Sequence, residues 1–168
     1  MVITGATGIL GRAMVRHFAE QGASVVILGR NEKVGNELAE EAKAQGGEAV
    51  FLPTNVLDKA ALEQNYADVM ARYGRNDVLI NGAGGNQAGA TIPPDKTLFD
   101  LDIEAMRQVV DLNLFGTVLP TMVFGRAMAT QKQGSIINIA SEAALRPLTR
   151  VAGYGAAKAA VINFTQYL

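Results

Sequence analysis

The sequence predicts an α/β fold, a doubly wound parallel sheet with helices on both faces. Three observations predict it. Short β-branched runs alternate with longer amphipathic ones along the chain, the pattern of successive βαβ units. The short runs are apolar throughout rather than alternating, as strands covered on both faces should be. A glycine-rich turn joins the first short run to the first amphipathic stretch.

Each element follows from local signals. Val2 to Thr4 reads as the first strand, and Ile9 to Gln21 as a helix closed by Gly22. Ser24 to Leu28 (SVVIL) is a strand, and Glu32 to Gln45 a helix stopped by Gly46 and Gly47. Glu48 to Leu52 is the third strand, and Asp58 to Tyr73 a helix that Asp58 can cap. Asp77 to Ile80 (DVLI) is the fourth strand, followed by a Gly- and Pro-rich loop to about Leu101. A long helical pattern continues to Gln131 with Pro120 inside it. The proline removes a hydrogen bond and crowds the Gly116 carbonyl, so a kink is expected there. Ser135 to Ile139 (SIINI) is the fifth strand, and a helix starts at Gly153. No repeat, linker or second domain is visible, so residues 1–168 read as a single domain.

Composition excludes several functions. Hydrophobic residues make up 49% and charged residues 18%, which sets the chain apart from disordered sequences. The net charge is −1, with acids and bases interspersed, so no basic surface for nucleic acid or for a membrane is expected. There is no cysteine, hence no disulfide and no thiol chemistry. The one histidine, His17, falls in a helical pattern, where it reads as a helix-surface or packing residue, and no metal site is expected. No apolar run is long enough to span a bilayer, and the N-terminus lacks a charged leader. A cytoplasmic location is the expectation.

The stretch TGATGILG (Thr4 to Gly11) follows a strand and opens a helix. Gly5, Gly8 and Gly11 recur every third residue; without side chains they permit a tight turn, close approach of a pyrophosphate and close helix–strand packing. The free N–H groups of the helix N-terminus then face the phosphates. Such glycines also punctuate ordinary turns, but their place after the first strand favours a dinucleotide and a Rossmann-type sheet. Thr7 and Ile9 lie in the same loop. The second strand ends SVVILGRN, with no acid to hold an adenosine ribose, so Arg30 points to the 2′-phosphate of NADP, with NAD as the alternative. A solvated arginine is the bland reading.

Tyr154 and Lys158 are four residues apart and share a helix face. A free phenol is a poor base near neutrality, and a nearby ammonium stabilises its phenolate, so the pair can exchange a proton with an alcohol or carbonyl oxygen. A tyrosine packed on a lysine stem would look the same. Ser141 follows the SIINI strand at the sheet edge where ligands bind in open parallel sheets. DLNLFG carries Asn113, and LINGAGG follows the fourth strand.

Together TGATGILG, LINGAGG, DLN, SIINIAS and YGAAK resemble the short-chain dehydrogenase/reductase family over nearly the whole chain. The resemblance implies that Tyr154 is the acid/base, Ser141 orients the substrate oxygen, and Lys158 binds the nicotinamide ribose and tunes the tyrosine. It implies that Asn113 supports a water-linked proton relay. Asn81 and Ala83 would lie beside the adenosine ribose, Asn55 would meet adenine as an amide, and Val56 and Gly84 would belong to the same cofactor-binding set. It also implies a homodimer or homotetramer packed through the helix around Asp102 to Gln131 and the Tyr/Lys helix.

The sequence departs from the family pattern in places. The glycines fall as TGxxGxxG, more like the extended branch, NGAG stands where NNAG is usual, and Asn55 stands where an aspartate is common. The resemblance also implies further strands, a segment contacting the nicotinamide and a substrate lid, so the domain reads as incomplete at its C-terminus. INGAGGNQAGAT, FDLD and NLFGTVLPT look most like the sugar-acid branch, mannonate and gluconate oxidoreductases. Arg146 and Arg150, between Ser141 and Tyr154, are candidates for a substrate carboxylate, although two solvated loop arginines would look alike. The expected activity is hydride transfer between NADP or NAD and a secondary alcohol or ketone, with a sugar acid such as mannonate as a candidate small-molecule substrate. The competing readings are a non-catalytic dinucleotide-binding or assembly module and an extended-branch epimerase or dehydratase.

Overall fold

The structure is a computed structural model that describes residues 1–168. The elements run β1 (Val2–Thr4), α1 (Ile9–Glu20), β2 (Ser24–Gly29), α2 (Glu32–Ala44), β3 (Glu48–Pro53) and α3 (Lys59–Tyr73). They continue β4 (Val78–Asn81), α4 (Ile103–Val110), α5 (Gly116–Gln131), β5 (Ser135–Asn138) and α6 (Ala152–Tyr167). All five strands pair in parallel in the order β3-β2-β1-β4-β5. The chain reverses direction across the sheet between β1 and β4, and a crevice opens at the carboxyl ends of strands on either side of such a switch point.

The strands are apolar on both faces because each face has its own core. Ile3, Val25, Ile27 and Ile80 point to one side, where they meet Val15, Leu38 and Phe51. Val2, Val26, Leu28 and Leu79 point to the other, where Leu62, Val69, Val123 and Phe124 cover them. Alternate residues of one strand thus serve different layers. The pattern of β5 suits a central strand, yet in this structure β5 forms an edge, and Ile137 is 43% exposed.

Helix starts are of two kinds. Asn31 caps α2 by accepting from Val34 N (3.1 Å), Asp58 caps α3 by accepting from Ala61 N (3.1 Å), and Asp102 caps α4 by accepting from Glu104 N and Ala105 N. By contrast α1 and α6 begin without a side-chain cap. These two helices carry the glycine loop and the tyrosine.

The long helical pattern up to Gln131 is not uniform. Between α4 and α5 the backbone widens into one π-helical turn, Asp111–Phe115. Pro120 lies inside α5. The expected irregularity therefore sits a turn earlier than Pro120 and closes at Gly116, the residue whose carbonyl the proline leaves without a donor. Short 3-10 turns at Ala88–Ala90, Leu98–Asp100 and Glu142–Ala144 interrupt stretches that read as plain loop. No helix is long and apolar enough to cross a membrane. No group of three or more His, Cys, Asp or Glu side chains could hold a metal ion.

Candidate active site

At the switch point a cleft of about 440 Å³ opens along the carboxyl ends of the strands. The glycine loop forms its floor with Gly5, Thr7, Gly8, Ile9 and Gly11. Gly5 adopts φ +64, and a Cβ there would stand 2.7 Å from the backbone of Gly82 and Ala83. The loop therefore needs glycine for both its conformation and its contact with the segment after β4. Thr4 makes that contact fast, because its Oγ1 accepts from Gly82 N (3.1 Å) and Ala83 N (3.2 Å). The first turn of α1 has no side-chain cap, and its residues Ile9, Leu10 and Gly11 line the cleft, so the unpaired amides of a helix start lie at the cleft.

The other walls come from three places. Arg30 and Asn31 follow β2, Asn55 and Val56 follow β3, and Ala83 and Gly84 follow β4. Arg30 is exposed, and the strand before it ends in Gly29, which a Cβ would press against Thr7 Oγ1 at 2.7 Å. Asn55 Oδ1 accepts from Leu57 N (3.2 Å), which leaves its amide N–H groups free. Leu10 of the glycine loop lines the cleft as well, and so do Thr54 and Leu112, which nothing in their local sequence indicates; only the convergence of loops brings those two in.

Contrary to the expectation of a place beside the adenosine ribose, Asn81 does not line the cleft. It is buried, and its Nδ2 donates to Thr121 Oγ1 (2.9 Å) and Asn138 Oδ1 (2.8 Å). Asn138 Nδ2 donates in turn to Thr165 Oγ1 on α6 (2.9 Å). An amide on the last residue of a central strand is inside the sheet, so it ties β4 to α5, β5 and α6 instead of meeting a ligand.

A polar cluster adjoins the cleft at Gly84. A Cβ on Gly84 would lie 2.7 Å from Asn113 Oδ1 and 3.2 Å from Lys158 Nζ. Asn113 occupies the π-helical turn and is fully buried. Its Oδ1 accepts from Gly85 N (3.0 Å), and its Nδ2 donates to Gly85 O (2.7 Å) and Val109 O (2.8 Å). The side chain is thus engaged in holding the segment after β4, and Thr117 Oγ1 donates to the Asn113 carbonyl (3.0 Å).

Lys158 is 4% exposed and donates from Nζ to the Ile139 carbonyl at 2.6 Å. Its ammonium lies 5.9 Å from the centroid of the Tyr154 ring, which packs against Ala90, Ala105 and Val109. Ser141 starts the 3-10 turn at the end of β5, where its Oγ accepts from Ala143 N (3.2 Å). That turn packs tightly on α6: a Cβ on Gly155 would lie 3.0 Å from the Ala143 carbonyl oxygen. Small residues beside Tyr154 thus let the serine turn close on the tyrosine helix. Tyr154, Ser141 and Lys158 do not line the cleft itself; they flank it beyond Gly84.

Burial holds the Lys158 ammonium below the ordinary lysine pKa of 10.5. In the window between its folded value and 10.5, the unfolded chain carries more protons than the folded one, so stability should rise with pH there. Below that window the burial penalty is fully present. Denaturant titrations of wild type and Lys158→Met across alkaline pH should show this rise in wild type only. Parallel curves would remove Lys158 as its source.

The arginines between Ser141 and Tyr154 differ. Arg146 is exposed and lies 3.8 Å from Glu142. Arg150 is engaged with main chain: its Nη1 donates to Ile92 O (3.4 Å) and its Nη2 to Pro94 O (3.2 Å).

The model of the short chain dehydrogenase family matches residues 1–168. An uncharacterized oxidoreductase of Bacillus subtilis is 37% identical over 175 residues, covering 99% of this chain and 63% of its own length. A solved candidate D-mannonate oxidoreductase from Haemophilus influenza with bound NAD is 36% identical, with TM-score 0.94, and is covered over 63% of its chain. A metagenomic short-chain oxidoreductase solved with NADP is 30% identical, with TM-score 0.88, and is covered over 72%. Each of the three is matched by 99% of this chain. The chain therefore spans less than two thirds of the length of the first two.

Proposed function

The chain belongs to the short-chain dehydrogenase family, and from that premise we propose that the full-length protein is a nicotinamide-dependent oxidoreductase acting on a secondary alcohol or ketone. The observation that carries this reading is the meeting of cleft and polar cluster at Gly84, which lines the cleft and where any side chain would collide with Asn113 and Lys158. A glycine floor, uncapped helix amides and a positive φ at Gly5 fit a pyrophosphate. The intact Ser141, Tyr154 and Lys158 favour an enzyme over a passive dinucleotide-binding module.

When bound, the nicotinamide would take the hydride from the alcohol carbon, or return it to the ketone. The protein's part is proton chemistry and position. Tyr154 would accept the alcohol proton as phenolate and give it back as phenol in reduction. Ser141 Oγ accepts from Ala143 N, so its own proton remains free to donate to the substrate oxygen. Lys158 places a buried ammonium beside the tyrosine ring, where it would favour the phenolate and hold the nicotinamide ribose. Asn113 would serve a proton relay by holding Gly85 against this cluster.

Arg30 at the cleft, with no acid at the end of β2, supports NADP over NAD. A sugar acid such as D-mannonate is the candidate substrate, supported by the likeness to the Haemophilus protein, with Arg146 as the exposed cation for its carboxylate. A homodimer or homotetramer is supported by Phe115 and Met122, which are 46% and 55% exposed and lie two helical turns apart on the α4–α5 run.

The test is a titration of the full-length protein with NADPH and NADH, with turnover followed on D-mannonate and on neutral secondary alcohols. NADPH should bind more tightly than NADH, and Arg30→Ala should weaken NADPH far more than NADH. Equal losses for both cofactors would overturn the assignment of Arg30. The absence of any reduced or oxidised nicotinamide signal across the substrates would count against the oxidoreductase itself.

A further inference from the structure

Arg150 is a residue that neither the cleft nor the polar cluster uses, yet its geometry is unusual. Only two non-glycine residues have positive φ, and Arg150 is one, at φ 71. That conformation is costly for a residue with a Cβ, and it persists where surrounding contacts over-determine it. Here the contacts are reciprocal. Ile92 N donates to the Arg150 carbonyl (3.0 Å), while the Arg150 guanidinium donates to Ile92 O (3.4 Å) and Pro94 O (3.2 Å). A residue at the entry of α6 is thus clasped to the loop that follows β4.

Both ends of the clasp lead to Tyr154. Arg150 lies immediately before Val151, the first flanking residue of α6, which provides no side-chain cap. Tyr154 is in the first turn of that helix. On the other side, Ile92 is two residues from Ala90, which walls the Tyr154 ring together with Ala105 and Val109. Gln87 ties the same loop to α4, its Nε2 donating to Ala105 O (3.0 Å) and Gln108 Oε1 (3.1 Å). The first turn of α6 is also in close contact with α4, since a Cβ on Gly153 would lie 2.8 Å from Met106 Cγ.

We propose that Arg150 is a positioning residue for Tyr154: its clasp on Ile92 and Pro94 sets the start of α6 and the loop wall of the tyrosine ring together. The inference rests on the reading of Tyr154 as the acid/base. It also removes Arg150 from the candidates for a substrate carboxylate, because the guanidinium is already directed at main-chain oxygens. A helix that enters without a cap frays over its first turn, and a displacement of about one ångström at a reacting group costs on the order of a hundredfold in rate.

The experiment uses the full-length protein with Arg150→Ala, Arg150→Gly and Arg150→Lys, assayed with D-mannonate and with xylitol as a neutral polyol. Arg150→Ala should lower kcat by about ten- to a hundredfold on both substrates, with KM and cofactor affinity nearly unchanged. Arg150→Gly should be equally impaired, although it relieves the backbone strain, because it also lacks the guanidinium. Arg150→Lys, which can reach one carbonyl, should recover part of the rate. Amide hydrogen exchange should quicken at residues 89–97 and 151–157 in the Ala variant and stay unchanged elsewhere. A rise in KM for D-mannonate alone, with kcat intact, would overturn the proposal in favour of carboxylate binding. Wild-type kcat in Arg150→Gly, or unaltered exchange in Arg150→Ala, would also overturn it. The exchange measurement needs no turnover, so it stands even if the wild type oxidises neither probe, a result that would count against the oxidoreductase reading instead.

Discussion

Tyr154→Phe in the full-length protein is expected to lower turnover by about 10²- to 10⁴-fold, the contribution of a positioned acid/base. The substitution keeps the ring, and the ring is what packs on Ala90, Ala105 and Val109. It removes the hydroxyl and, with it, the transferable proton. The cleft floor is built from the glycine loop and does not include Tyr154, so cofactor affinity should stay close to wild type. The urea midpoint should also hold, because no apolar contact is lost. A variant with near-normal kcat on the best substrate would exclude Tyr154 as the acid/base. Loss of cofactor binding together with turnover would point instead to a structural role for the hydroxyl.

Gly11→Ala should damage both stability and cofactor binding. A Cβ on Gly11 would press on the Gly5 carbonyl oxygen and stand 2.5 Å from Ala6 Cα and 2.7 Å from Ala6 C. All three are backbone atoms, so no side-chain rotation relieves the overlap, and α1 must lift from the loop. Overpacking commonly costs about 1–3 kcal/mol, occasionally more, and this site belongs at the upper end. Moving the α1 amides by even a fraction of an ångström should weaken cofactor binding by about tenfold or more, which corresponds to about 1.4 kcal/mol. Gly22→Ala is the control. Gly22 has φ +80 but nothing within 4 Å of an added Cβ, so it should lose about 1 kcal/mol of stability and no cofactor affinity. Wild-type melting and affinity in Gly11→Ala would show that the loop can rearrange around the methyl group.

The strands were legible because each is a short apolar run between glycine or polar punctuation. Their positions match within a residue or two at every end. Asp58 was legible as a cap because a cap needs only its own neighbours, and its side chain does accept from Ala61 N. The helix between Asp102 and Gln131 was legible as helix but not in its form. Pro120 breaks the hydrogen-bond ladder locally, which the sequence alone makes plain. The observed widening at Asp111–Phe115 surrounds Asn113, whose side chain bonds to Gly85, twenty-eight residues away in sequence. A pattern read over a few helical turns has no access to such a partner.

The same boundary runs through the site. Periodicity and glycine spacing were enough to specify a parallel α/β sheet, a phosphate-type loop after β1, and a tyrosine and lysine on one face of a helix. These follow from interactions between residues within a few positions of one another. The destination of each polar group depended on which elements the crossovers brought side by side. Asn81 went to Thr121 and Asn138 inside the sheet, whereas its glycine neighbours went to the cleft. Arg150, a solvated loop residue or a carboxylate ligand by sequence, reached back to Ile92 and Pro94. A long side chain in a loop meets many possible acceptors within its reach, and only the packed arrangement of loop and helix selects among them.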